Sequence, residues 1–522
     1  MYSQTLFVQL TAAAPLHIGC ADVYEPTSFI IDQKEKELVH FDTGRFLSLL
    51  DSDALAKFSA ICRKGTPASL IELMKFMHSK ASDILILMDD KRVPVVKALV
   101  DHYEQTLNLP LHDKRKVNQE LNQFQIMRTA FDFLSGEVYL PGSAVKGAIR
   151  TAVLNLRNNG RNFPDFKGKN AGRKLQEHIL EFDFRHMESD PFRLIKVSDF
   201  SPVDEPKRHI LYAVDRKKKP SKFEARAPYQ IVEVVETGAR FIGTITVFTP
   251  PARSPIKRPV TSEEITAALR AFYKKEKQRE DRELENIGVK PAPLKINGRC
   301  LPCRIGRHSG AECVTVEGHR DIKIMQGKGS KPKSLDHATT VWLASDSRKP
   351  TTTESLRPFG WVILEKLDLN AWSDLNAQIK ERRHHFQKQQ GMKIAAWEEE
   401  QSAKKAQHEK ELREKEEKEA ELAAQQEQEE RLRTQWDAMG EEERDLACIR
   451  QDEVALKYAA EDAKYPIPNI WPKIESAPPG HQKALARAFK ERWQAENKWN
   501  VKPKQKKQWK KVQRVKAILG EG

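Results

Sequence analysis

The sequence predicts an α+β chain, with antiparallel strands about a first core, a helical insertion and a long helical C-terminal extension. Two observations carry this. Ile231–Val235 and Arg240–Val247 alternate on either side of Thr237-Gly238, an antiparallel hairpin pattern. Apolar residues recur instead at three- and four-residue intervals in Asp51–Cys62, Pro67–Lys80 and Pro94–Leu107, and a Glu- and Gln-heavy run fills Glu398–Arg433. At 522 residues the chain is long enough for two or three cores, yet 39% hydrophobic against 31% charged residues implies a sizeable segment without a core of its own. A net charge of +15 suits a polyanionic partner, although charge speaks to association and not to fold. The six cysteines form no disulfide framework. The N-terminus lacks the basic flank of a signal peptide, and no apolar run approaches the ~20 residues of a membrane helix. A cytoplasmic protein without membrane partners is expected.

Leu6–Leu10 alternate as a strand and lead into Pro15-Leu16-His17-Ile18-Gly19, where a loop glycine lets another backbone come close. Phe29–Asp32 and Leu38–Phe41 form a strand pair about a charged QKEKE turn, and an insertion of about 43–133 is mostly helical. Val138–Leu140 read as a short strand, Pro141-Gly142 as a turn and Ser143 as the N-cap of a helix whose Val145, Ile149 and Val153 pack on a sheet. Ser143, Lys146 and Arg150 share a second face. A glycine turn, a helix N-terminus and two cations suit a phosphate; an ordinary turn with a solvated basic face is the other reading. Gly142 and Gly147 have P-loop spacing, but Ala148-Ile149 stand where that motif needs Lys and Ser/Thr, so a nucleotide triphosphate is set aside.

A basic loop, Arg157–Lys174, is either a solvated connection or a phosphate contact. Asp190–Arg193 form a turn before a strand over Leu194–Phe200, Arg216–Lys219 a basic run in a hairpin or loop, and Val260–Glu285 a charged helix. Arg304, Gly306, Arg307, Ser309 and Gly310 make a second glycine- and arginine-rich loop, followed by a strand over Cys313–Val316. Cys300, Cys303, His308 and Cys313 have zinc-knuckle spacing, C-x2-C-x4-H-x4-C, but arginines stand where a knuckle carries glycines. No cofactor is expected, with zinc at these four residues as the alternative. Residues 372–465 hold 17 Lys/Arg and 24 Asp/Glu, and Leu412, Leu422 and Leu432, ten apart, fit no heptad, so a single charged helix is expected. Pro466–Gly480 reads as a Pro-rich linker to a basic helical hairpin; residues 466–522 carry 14 Lys/Arg against 4 Asp/Glu.

Several of these motifs together resemble the RAMP proteins of CRISPR systems: P-x-H-I-G at 15–19, P-G-S-x-x-K-G-A-I-R-T at 141–151, D-P-F-R at 190–193, the 231–245 hairpin, the 304–310 loop and P-x-G-W at 358–361. The resemblance spans roughly residues 5–368. It implies two ferredoxin-like (RRM-like) domains, 1–250 with the insertion and 251–370, followed by a charged helix over 371–465 and the basic tail over 466–522. It also implies guide-RNA contacts from His17, Gly19, Gly142, Ser143, Lys146, Gly147 and Arg150, and from the 304–310 loop. The P-x-G-W strand is similar to that of the end-capping subfamily of type III-A (Csm) effector complexes. That subfamily implies a non-catalytic subunit at the 3′ part of the guide, supporting guide maturation in antiviral defence. Its implied partners are the backbone RAMP subunit, other effector subunits, target RNA and trimming nucleases. Where the backbone subunit carries its target-cutting Asp, this chain has Pro26 or Thr27; Asp22 and Asp32 read as loop and strand-end acids. The competing class is a RAMP-type endoribonuclease processing guide precursors, with His17 as general acid or base.

Overall fold

Ser3–Ala12 and Arg240–Phe248 pair antiparallel along their whole length, Leu6 opposite Ile245 and Leu10 opposite Phe241, so the alternating apolar residues of both strands fall on one face. The computed structural model describes residues 2–521 apart from 88–91, 165, 167, 169, 222–223, 226, 295–296, 298, 327–328, 462–464 and 466. This strand pair is the centre of an antiparallel sheet in the order Cys300–Arg304, Trp361–Leu367, Ser3–Ala12, Arg240–Phe248, Ile195–Val197, with Ser201–Pro202 also on Arg240–Phe248. Helices Gly142–Asn158 and Ser262–Glu285 bury Val145, Ile149, Val153, Leu269 and Phe272 with Leu10, Phe241 and Trp361. Elsewhere Val203 and Ile242 bury Ile379, from the start of helix Leu369–Ala438, and Trp372 meets Phe7 at 5.0 Å between ring centroids.

A second sheet runs Arg357–Pro358, Thr340–Ser345, Arg208–Lys217, Gln230–Val235, Ile126–Thr129, Gly19–Val23. Only Gln230–Val235 and Ile126–Thr129 are parallel among its pairings. Insertion helix Lys97–Leu107 covers it with Leu99, Val100 and Tyr103. Both sheets draw strands from either side of residue 250, so the expected division there does not separate the strands. The reason is edge satisfaction: Trp361–Leu367 and Thr340–Ser345 complete ladders begun by Ser3–Ala12 and Arg208–Lys217. The chain instead divides into two units, Met1–Gln390 and Gly391–Gly522.

Arg92–Pro94 of the insertion joins the strand pair Phe29–Asp32 and Glu37–His40 in a small sheet, and Ile30, Val39, Phe46 and Met77 build its core with helix Pro67–Ser79. That helix starts where Thr66 and Ser69 form a capping box around a proline at the first position.

Several expected elements differ. Val138 and Leu140 make isolated bridges to Phe131 and Phe200 rather than a strand. The strand expected over Leu194–Phe200 is only Ile195–Val197. In place of a Cys313–Val316 strand, Glu312–Val314 form a single 3-10 turn, closed by Thr315 Oγ1 donating to Ala311 O at 2.7 Å.

In the second unit the presumed linker is part of a core. Helices Ile467–Ile470 and Lys473–Ser476 bury Ile470 and Ile474 with Trp436, Ile449, Tyr458, Phe489, Trp493 and Val512. The basic hairpin is present as Pro479–Ala495 and Lys506–Leu519. Leu412 and Leu422 are exposed on the charged helix whereas Leu432 is buried, which is why no leucine seam runs along it. Among the described residues no helix is long and apolar enough to cross a membrane.

Candidate nucleic-acid interface

The Pro15–Gly19 stretch crosses from one sheet to the other. Leu16 bridges Val235, and Ile18 N–H donates to Thr129 Oγ1 at 3.1 Å. Between them His17 is 1% exposed, its Nδ1 2.7 Å from Glu233 O and its Nε2 without a hydrogen-bond partner among the described residues. Burial lowers its pKa to about 4, against the opposing bond to Glu233. The second glycine loop closes directly over it. Arg307 N–H donates to His17 O at 2.8 Å, and Gly306, at φ +87°, lies where a Cβ would stand 2.5 Å from the same oxygen. Ser309 Oγ donates to Gly306 O at 2.6 Å. His308 is wedged by Trp342 and Phe359, at 4.9 and 5.1 Å between centroids, and burial lowers its pKa to about 3. Arg307, Gly310 and Gly19 remain exposed around this closure. A Cβ on Gly19 would meet only His17 Nε2 at 3.8 Å, so close approach within the chain is not what requires that glycine.

At the other glycine turn Pro141, not Ser143, is the cap residue, and Ser143 is exposed. The side chain of Asp199 takes the capping role, accepting the Gly142 N–H at 2.7 Å. A Cβ on Gly142 would stand 2.4 Å from Val197 O, so packing alone demands glycine there, whereas Gly147 faces open space. The basic face is largely engaged. Lys146 Nζ donates to Ile195 O at 2.8 Å, and burial lowers its pKa, helped by nearby Lys196. Arg150 Nη1 donates to both oxygens of Asp190, at 3.2 and 2.9 Å, and its Nε to Gln176 Oε1 at 2.8 Å. Its guanidinium also lies over Phe192, 4.8 Å from the centroid. The D-P-F-R turn and the Gly142–Asn158 helix are therefore one internal structure.

Arg304 is also internal, against the expectation of an RNA contact. It is 3% exposed, pairs with Glu280 at 2.6 Å, donates Nε to Phe359 O at 3.0 Å and covers Trp361 at 5.0 Å. The zinc-knuckle residues are dispersed in chemistry. Cys300 and Cys303 sit on opposite faces of one strand, His308 is in its aromatic slot, and burial pushes the Cys313 thiol up to about 11. Among the described residues no three His, Cys, Asp or Glu side chains are grouped to hold a metal. Lys218 of the 216–219 run is buried on Glu312 at 2.6 Å. In the 157–174 loop Arg157 pairs with Glu264 at 2.7 Å, and residues 165, 167 and 169 lie outside the described residues. Asp22 accepts from Arg128 Nη1 at 3.2 Å, and Asp32 accepts the Lys34 and Glu35 N–H groups in its turn.

A family model of the RAMP superfamily matches residues 9–307. The chain belongs to the RAMP superfamily. A relative, the CRISPR system Cms protein Csm5 of Streptococcus thermophilus, is 27% identical over 286 residues, 52% of this chain and 70% of the relative. Similar solved structures include a chain of a Csm–crRNA–target RNA ternary complex from a type III-A CRISPR-Cas system. It has a TM-score of 0.45 and 18% identity, over 69% of this chain and 100% of that one. The crystal structure of T.onnurineus Csm5 gives a TM-score of 0.39 and 16% identity, over 68% and 99%.

Within this RAMP chain, then, the structure joins His17 to the 306–310 loop, but turns Arg150 and Arg304 inward. Sequence reasoning missed Asp190 and Asp199 as internal partners of the helix. The former stands in the quoted D-P-F-R motif, and an acid so close to a basic helix was the available signal. It also missed Arg193 and Lys196, both exposed beside the same turn.

Proposed function

We propose that this protein is a non-catalytic guide-RNA-binding subunit that caps the backbone of a type III-A CRISPR effector complex at the 3′ part of the guide, supporting guide maturation and antiviral defence. The observation that carries the reading is the closure of the glycine loop over His17, which leaves Arg307 and Gly19 of the RAMP match exposed together with Gly310 just beyond it. An accessible arginine beside a glycine-lined backbone is suited to phosphate oxygens. The similarity to a Csm5 protein supports the type III-A assignment. At the second turn RNA contact falls to Ser143, Gly147, Lys196 and the remaining protons of Lys146, while Arg150 and Arg304 hold their positions from inside. Partners on this reading are guide RNA, target RNA, the backbone RAMP subunit and other effector subunits, and trimming nucleases.

The endoribonuclease reading is disfavoured by the burial of His17, whose ring is walled off from any scissile phosphate. Co-expression with the other effector subunits and a repeat array tests the proposal. The chain should co-purify with guide-bearing complex, and its omission should alter guide 3′ ends. Complexes assembled without it but carrying the same guide ends would refute the capping role. Site-specific cleavage of repeat RNA by the purified protein would restore the enzyme.

A further inference from the structure

The four acids of the C-terminal stretch 466–522 are already committed. Glu475 pairs with Arg514 at 3.4 Å, Glu491 with Arg450 at 3.9 Å, Glu496 with Arg492 and Lys498 at 2.7 Å, and Glu521 with Lys490 at 2.6 Å. Lys502, Lys504, Lys506, Lys507 and Lys510 then follow one another closely, all exposed. Among the described residues none of these five side chains has an ion pair or hydrogen bond. On helix Lys506–Leu519, the residues Lys506, Lys507 and Lys510 fall within about 100° of arc, opposite the buried Val512 and Val515. Lys506 and Lys507 also occupy the first turn, where the helix dipole disfavours cations. Such crowding without counter-charge works against the fold unless an external anion relieves it.

Two features of the same unit decide the chemistry of that anion. No large apolar side chain stands exposed beyond Leu456 among the described residues, so a protein partner would find no anchor for a buried contact. Of the four tryptophans in 466–522, three are used internally: Trp493 and Trp499 are buried, and Trp471 packs on Phe489 and Trp493 at 5.2 and 5.5 Å, while Trp509 is half-buried between Lys507 and Lys510. One half-buried ring offers no run of platforms for successive bases, so the lysines carry the contact. We infer that the Lys502–Lys510 surface is a second nucleic-acid site that holds a polynucleotide phosphate backbone without reading its bases. It lies outside the 9–307 family match and does not depend on the effector-complex reading.

The test uses the full chain with Lys502→Gln, Lys504→Gln, Lys506→Gln, Lys507→Gln and Lys510→Gln combined. Fluorescence anisotropy follows binding to labelled oligouridine, a mixed-sequence RNA and an RNA duplex, each of about 30 nucleotides per strand, over roughly 50–200 mM salt. Five single-strand contacts at about 0.7 each account for a slope of roughly 3.5 in log affinity against log salt, so the variant should lose at least about 2. Between those salt limits the wild type should then weaken at least ~15-fold more than the variant. Equal losses on uridine and mixed sequence, an unchanged circular dichroism spectrum, and recovery by the matching Lys→Arg set are expected; comparable loss on the duplex supports the same backbone chemistry. A slope within about 0.5 of wild type overturns the inference. So does a loss confined to one sequence, or loss of a protein partner with RNA binding unchanged.

Discussion

Replacing Arg150 by Ala separates an internal arginine from a phosphate ligand. In the folded chain its guanidinium satisfies a nearly buried carboxylate, Asp190, whose side chain is 7% exposed, and covers Phe192. Removing one member of a buried pair costs ~3–5 kcal/mol, because the other charge is left uncompensated. Arg150 itself is 22% exposed, and Asp190 keeps the Phe192 N–H at 2.9 Å, so water and that bond offset part of the loss. About 2–3 kcal/mol remains. For a unit spanning Met1–Gln390, whose unfolding entropy is ~2.1 cal/mol/K per residue, that lowers Tm by roughly 2–4 °C. Arg150→Lys retains the charge but not the forked contact to Asp190 and the Gln176 bond, and should lose about half as much. Calorimetry on the full-length protein reads the shift, and a salt titration of RNA binding is run beside it. The salt slope should be unchanged for folded Arg150→Lys. If Arg150→Ala instead leaves Tm within about 1 °C and lowers the slope by about one unit, the residue meets RNA, and the internal reading fails.

Gly306→Ala should destabilise by ~2 kcal/mol or more and displace the loop from His17 O, read as a drop in urea midpoint; an unchanged midpoint would refute the close packing. His17, whose ordinary pKa of 6.5 falls to about 4 in the fold, stays neutral while the unfolded chain takes up its proton. Stability should therefore fall as pH drops from 6.5 towards 4, by up to ~3 kcal/mol, and His17→Asn should flatten that part of the urea-midpoint profile. Ending the chain at Tyr465 removes Ile470, Ile474, Phe489 and Trp493 from the C-terminal core, so limited proteolysis should then cut within 439–465; protection equal to the full chain would show that this segment folds without them. Asp22→Ala and Asp32→Ala should leave the target-RNA cleavage pattern of an assembled complex unchanged, as read on a sequencing gel, because both acids serve local turns and Arg128; a missing cut would refute this.

Local pattern and superfamily were legible in the chain. The pairing of Phe29–Asp32, the insertion helices, the hairpin about Thr237-Gly238 and the C-terminal helices all follow from spacing and turn residues, which act over a few positions. The RAMP motifs were equally plain as a series, since glycine turns leave a mark in sequence wherever backbone meets backbone. Which chemistry those motifs perform was not legible. A basic face reads the same whether it meets water, RNA or a buried acid, and Asp190 and Asp199 reach the Gly142–Asn158 helix only once Ile195–Val197 is laid on Arg240–Phe248. Pro466–Gly480 reads as a linker because prolines mark chain direction, while the burial of Ile470 and Ile474 depends on helices far away in sequence. Sequence by itself determined the superfamily, the order of most elements and the charge of the tail. Tertiary structure decided that Arg150, Arg304 and Lys218 face inward and that Arg307 and the Lys502–Lys510 surface do not, because the partner of a charge is set by distance in space.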